Sequence, residues 1–244
     1  MVELQKIKNK QELIGKTFFF LFVLLFLFAL LPFIEETPLS KRWPITLVGI
    51  FLAIGFYITS QIFKTRSKKF NNLLSGEKLL ARWELSNDML SNYVLFQKEE
   101  RIKKNKAVMV ITGILFLIIS FPFLFLLNKD EISAFVLIMG GILVLVFLAS
   151  LFFPWYYSQR NMNGDKQILI GTKYAYINGI FHNWDFPLSG LSKISIIKIP
   201  FYGIKLSYYY TDLTWRQSEE LYIPVPDDID LELLVNQLKS NNRK

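Results

Sequence analysis

The lone histidine, His182, is the one side chain whose ordinary pKa lies near neutrality, so a neutral-pH general base would have to start there. Asp185 is its only acidic neighbour in sequence, too few donors for a metal ion. On an extended run over residues 180–186, His182 shares a face with Ile180, Trp184 and Phe186, which predicts a packed or interfacial imidazole. The pairs Glu219-Glu220 and Asp227-Asp228 have the composition for acid–base work. The first falls at a predicted strand entry and the second at a predicted helix start, where exposed N–H groups favour negative charge, so both are read as capping and solvated groups. There is no cysteine, which excludes disulfides, thiolate nucleophiles and sulfur-ligated metal sites. None of GxSxG, HExxH, GxxxxGK(S/T) or GxGxxG occurs. No catalytic residue, metal site or cofactor is therefore expected.

Positive charge is the other chemistry on offer. The chain carries 28 Lys and Arg against 20 Asp and Glu, a formal net charge of +8. Residues 64–69 place Lys64, Arg66, Lys68 and Lys69 in six positions, and residues 101–106 place Arg101, Lys103, Lys104 and Lys106. Clusters of this kind beside a membrane gain about 1 kcal/mol per charge near anionic headgroups. These eight residues form the candidate lipid-headgroup site, and their simplest alternative role is to fix orientation as stop-transfer flanks. Nucleic acid is not an expected partner. From Ser158 on, ten basic residues face nine acidic ones, and Tyr208-Tyr209-Tyr210 alternate between the two faces of one strand.

The elements that must position these groups are dominated by four uncharged stretches, residues 17–33, 45–63, 107–127 and 134–157. Each is long enough, or nearly so, to cross about 30 Å of hydrocarbon as a helix. A hydrophobic fraction of 52%, 23 Phe and a mean hydropathy of +0.32 agree with a multi-span membrane protein. The first stretch follows Lys6, Lys8, Lys10 and Lys16 but is too long for a secretory h-region and has no small-x-small cleavage site, so it is read as a retained span. Eleven basic residues fall within residues 64–106, against two in 34–44 and one in 128–133. By the positive-inside rule both termini and the central segment lie in the cytoplasm. No span holds an ionisable residue, which argues against a transporter. Gly49 and Ala53, four apart in the second span, have the small-xxx-small spacing that lets two helices approach closely.

The domain order expected is a basic N-terminus (1–16), a first hairpin (17–63), a basic segment with an amphipathic helix (64–106), a second hairpin (107–157) and a β domain (158–244). Residues 79–85 suit a strand or a membrane-hugging turn, and Ser86-Asn87-Asp88 supplies an N-cap for a helix that runs into the third span. Strands are read at 167–171, 173–177, 180–186, 193–199, 204–210 and 220–225, with Asn178-Gly179 a two-residue hairpin turn. Thr211-Asp212 reads as a looser turn. A closing helix carries Leu231, Leu234, Val235 and Leu238 on one face.

A membrane hairpin followed by six or seven short antiparallel strands and a C-terminal helix resembles the bacterial pleckstrin-homology-like (PH-like) domain family. Trp83-Glu84-Leu85-Ser86-Asn87-Asp88, then Tyr93, Phe96 and Arg101 to Lys106, is similar to the start of YcxB-like membrane proteins. Tyr176-Ile177-Asn178-Gly179-Ile180, with Trp184 to Ile194, stands where those proteins have a hairpin and the following strand. The first two spans lie outside this likeness. It implies a domain split by a membrane hairpin, its halves meeting at the cytoplasmic face, and carries over no catalytic residues. The expected function is a non-enzymatic protein of the cell (inner or cytoplasmic) membrane, presenting a PH-like domain to a protein partner or to the bilayer surface with its anionic headgroups. An accessory or scaffold subunit of a membrane complex is the alternative, and a lipid-modifying enzyme a third.

Overall fold

A computed structural model describes residues 7–212 and 215–242, so Lys6 and the terminal Arg243-Lys244 lie outside the described residues. Among the described residues four helices are long and apolar enough to cross a membrane. They form two hairpins, α1 (Lys10–Leu30) with α2 (Trp43–Leu74), and α3 (Asn87–Leu126) with α4 (Lys129–Met162). Strand β1 (Leu79–Glu84) lies between the hairpins in sequence. After α4 come β2 (Gln167–Gly171), β3 (Tyr174–Ile177), β4 (Ile180–Asn183), β5 (Gly190–Ile197), β6 (Gly203–Asp212), β7 (Trp215–Pro224) and α5 (Leu231–Asn242).

Local chemistry sets the helix ends. The Asn9 side chain caps α1 by accepting from the Gln11 and Glu12 N–H groups, while its amide donates to Ser67 and Asn71 on α2. Ser86 caps α3 through the Met89 N–H, with Asp88 in the first turn. No glycine or proline interrupts α3 before Gly113, and it continues from the soluble side into its apolar stretch over about 60 Å. Helix α2 does not stop where its charge-free stretch ends. It continues as helix through Lys64 to Leu74.

The first hairpin is tightly packed. Gly49 lies so close to Ala29 that an added Cβ would sit 2.7 Å from the Ala29 Cβ, and Ala53 is buried on the same face. Ser60 Oγ donates to the Gly15 carbonyl at 2.9 Å, and Phe18 stacks on Phe56 and Phe63. Gly49→Val is expected to cost about 1–3 kcal/mol by forcing the helices apart. Gly55→Val, with nothing within 4 Å of its added Cβ, should stay within about 0.5 kcal/mol of the parent. Thermal unfolding of the detergent-solubilised chain measures both, and equal midpoints for the two variants would refute the close approach.

All seven strands are antiparallel, in two sheets ordered β1-β2-β3-β4 and β5-β6-β7. β1 pairs with β2 from Glu84↔Gln167 to Leu79↔Gly171, so the sheet is closed across the whole second hairpin. The β domain therefore takes one strand from before Ala107 and is not confined to the residues after Ser158. Every residue of β2 is buried because both faces are covered. Ile168 and Ile170 face a core built from Trp83, Leu206, Ile223 and the α5 residues Leu231, Leu234, Val235 and Leu238. Leu169 faces the opposite way, into a cluster with Phe70 and Leu73 of α2 and Tyr174, Tyr176 and Phe181. The continued part of α2 thus forms a third layer on the first sheet.

At the expected turn, Asn178 and Gly179 have φ of 46° and 92°, the conformation a two-residue hairpin of this hand requires. Several strand limits differ from the sequence reading. β4 ends at Asn183 and not at Phe186, because Trp184 turns into the core and the Asp185 N–H is taken by the Asn183 side chain at 3.0 Å. β5 begins at Gly190 and ends at Ile197, ahead of the cis Ile199-Pro200 bond. β6 runs through Thr211-Asp212, read as a turn, to pair with β7, which begins at Trp215. Residues 215–218 are exposed, so this end of the hairpin lacks the apolar alternation that marks a half-buried strand.

Candidate functional site

The helical period divides the basic run on α2 between two faces. Ile62, Arg66, Lys69, Phe70 and Leu73 recur at three- and four-residue spacing and meet the β domain, while Lys64 and Lys68 point away. Arg66 Nε donates to Gln11 Oε1 at 2.9 Å and Nη2 donates to the Phe181 carbonyl at 2.8 Å, with the guanidinium 5.5 Å from the Phe181 ring centre. Lys69 pairs with the Asp185 carboxylate at 3.0 Å, donates to the Asp185 carbonyl and lies 4.9 Å from the Phe186 ring centre. Lys173 reaches the same carboxylate at 3.2 Å. Burial works against the Asp185 charge, but the hydrogen bonds and positive charges of Lys69 and Lys173 outweigh it and hold its pKa below its ordinary value.

The eight cations grouped from sequence therefore do not share one exposed face. Arg66 and Lys69 turn toward the β domain: Lys69 is paired with Asp185, and Arg66 is held through Nε and Nη2, with Nη1 left over. Arg101 stacks over Tyr157 at 4.4 Å, joining α3 to α4, and Lys103 pairs with Glu100 at 3.1 Å. Lys64, Lys68, Lys104 and Lys106 are exposed and make no side-chain hydrogen bond or close ion pair among the described residues, though the charge of Lys104 is felt by Glu220. Lys64 and Lys68, with Lys16, border a groove of about 500 Å³ between α1 and α2 whose wall includes Phe19. Gly49 and Ala53 lie within the first hairpin, against α1 in the case of Gly49.

A second opening, about 560 Å³, lies where α2 meets β4, β6 and β7. Ile62, Phe186 and Pro187 supply apolar wall, and Arg66, His182, Tyr208 and Glu219 supply polar wall. The register Tyr208↔Glu219 puts these two side chains on one face of the second sheet, where the Tyr208 hydroxyl donates to Glu219 Oε2. His182 Nδ1 lies 3.3 Å from the same hydroxyl oxygen and 3.9 Å from Glu219 Oε1. Because the Tyr208 proton is directed to Glu219, Nδ1 carries the hydrogen and donates to Tyr208, giving a chain from imidazole to phenol to carboxylate. Burial drives the His182 pKa down to about 4 against the pull of Glu219, and burial with the Glu219 hydrogen bond raises that of Tyr208. At neutral pH the imidazole is uncharged and weakly basic. Among the described residues no serine or threonine is hydrogen-bonded to it.

His182 is in the packed setting read from the sequence, but its partners Tyr208, Glu219 and Arg66 were missed as a group. Glu219 was read as a solvated strand-entry residue. Its role depends on which residue it faces across β6 and β7, which neither strand encodes alone. Among the described residues no three His, Asp or Glu side chains cluster as metal ligands would. No family model matches the chain, and neither a curated protein nor a solved structure does.

Proposed function

We propose that the protein is a non-enzymatic, multi-pass protein of the cell membrane that binds the bilayer surface at its cytoplasmic side. The groove between α1 and α2 carries this reading. Lys64 and Lys68 border it and Phe19 lines it, while Lys16 is paired with Glu12 at 2.7 Å on its rim, so two uncompensated cations and an apolar wall lie together as a phospholipid needs where headgroup gives way to acyl chain. The concentration of Lys and Arg on the segments that join the β domain supports a cytoplasmic placement. Seven strands in two sheets with a closing helix are in keeping with the bacterial PH-like, YcxB-like resemblance, which favours a binding module over an enzyme.

The full chain carrying Lys64→Gln, Lys68→Gln, Lys104→Gln and Lys106→Gln, reconstituted in nanodiscs, is expected to retain at least about tenfold less phosphatidylglycerol than the parent. Native mass spectrometry after detergent release reads this directly. Equal retention would remove the lipid reading.

A second reading, an accessory or scaffold subunit, is favoured by the β5–β6 connection. There Ile199 is 86% exposed beside exposed Pro200 and Tyr202, an apolar tip suited to a protein partner. A stoichiometric partner retained in mild detergent and lost on Ile199→Glu would establish it.

A further inference from the structure

We propose that the cleft between α2 and the β4, β6 and β7 surface holds the headgroup of a zwitterionic lipid, one that bears both a phosphate and an ammonium group. This deepens the reading of the protein as a bilayer-surface binder and rests on the same membrane placement, but it concerns a different opening and a different class of lipid.

Two opposite charges face this cleft and do not close on each other. Arg66 uses Nε for Gln11 and Nη2 for Phe181, which leaves Nη1 without a partner among the described residues. Glu219 receives the Tyr208 hydroxyl on Oε2, and among the described residues its Oε1 has the His182 ring at 3.9 Å and no hydrogen-bond donor, while it acts on Arg66 only as a charge at a distance. A simple anion entering here meets the Glu219 carboxylate, and a simple cation meets the Arg66 guanidinium. A headgroup with both charges satisfies each wall at once. The phosphate goes to Arg66, whose planar donors suit phosphate oxygens. The ammonium goes to Glu219 beside the Tyr208 and Tyr210 rings, whose centres are 6.3 Å apart. His182, uncharged at neutral pH, disturbs neither.

The opening's position favours a lipid over a soluble zwitterion. Ile62 lies one residue before the end of the second charge-free stretch, so this wall lies at the level where headgroups give way to hydrocarbon. Phe186 and Pro187 add apolar wall on the domain side, where an acyl chain has contact and a free headgroup has none.

The test uses the full chain in nanodiscs of equal phosphatidylethanolamine and phosphatidylglycerol, with retained lipid identified by native mass spectrometry. One phosphatidylethanolamine per chain is expected. Glu219→Gln, which keeps an acceptor for Tyr208, should lower its retention tenfold or more, and so should Ile62→Trp, which fills the opening without touching a charge. The quadruple lysine variant should leave it unchanged, so failure of the groove reading and failure of this one are told apart. Retention of phosphatidylglycerol in its place, or undiminished phosphatidylethanolamine in both cleft variants, would overturn the proposal. Displacement of the lipid by free phosphoethanolamine at equal concentration would assign the cleft to a soluble zwitterion and overturn the lipid assignment.

Discussion

Trp83→Ala is expected to destabilise the β domain by about 4 to 6 kcal/mol, a large share of what holds a domain of this size folded. Trp83 is 7% exposed and belongs to β1, on the N-terminal side of the second hairpin, yet it packs among residues from the far side. Its indole Nε1 donates to the Pro224 carbonyl at 2.9 Å, tying the end of β7 in the second sheet to the first. Truncation leaves a cavity of aromatic size, worth about 3–5 kcal/mol, and a carbonyl that has lost its donor, worth about 1 kcal/mol more. Trp83→Phe keeps most of the ring volume and should cost about half as much. Hydrogen exchange at the β2 amides in nanodiscs is the measurement, since exchange there reports opening of the sheet that β1 completes. If β2 protection in Trp83→Ala matches the parent, the two sides of the hairpin do not form one domain.

The parts of the fold that were legible are those whose signal is local. The uncharged stretches, the Asn178-Gly179 turn, the Ser86 cap and the apolar face of α5 each lie within a few turns or residues of chain. Residues 79–85 stayed between strand and turn because their partner, β2, lies beyond the whole second hairpin, and only pairing makes them a strand. The run from Lys64 to Lys69 misled for another reason. Counted as charge it is one patch, but continued as a helix it splits, and Phe70 and Leu73 were the apolar signal that one face is covered. The start of β7 was missed because Arg216, Gln217 and Ser218 are exposed, and such a strand has no burial period to read. The cleft needed all of these at once. Arg66 comes from the helix face, His182 from β4, and Tyr208 with Glu219 from the β6–β7 register.

That convergence carries the second large expectation, a loss of stability on acidification that depends on His182. In the folded chain the imidazole has a pKa of about 4, against an ordinary 6.5 in the unfolded one. Between these values the unfolded state binds a proton that the folded state refuses, so lowering the pH favours unfolding. The stabilising effect is complete above pH 6.5, declines as the pH falls, and is gone below about 4, where both states are protonated. The difference corresponds to about 3 kcal/mol. Burial is the dominant cause, Arg66 adds to it, and the neighbouring Glu219 carboxylate opposes it without reversing it. Asp185 contributes in a separate, lower window, because its depressed pKa stabilises the fold at higher pH and that contribution is lost as the carboxylate is protonated. Thermal unfolding of the full chain between pH 7 and 4.5 is compared with that of His182→Gln, which can still donate to Tyr208 and should flatten the profile. The difference isolates the histidine from Glu220, whose lowered pKa makes its own contribution begin to fade near the lower limit. A slope unchanged in His182→Gln would mean that the imidazole is hydrated in the membrane-bound protein, and the uncharged wall it lends to the zwitterion cleft would go with it.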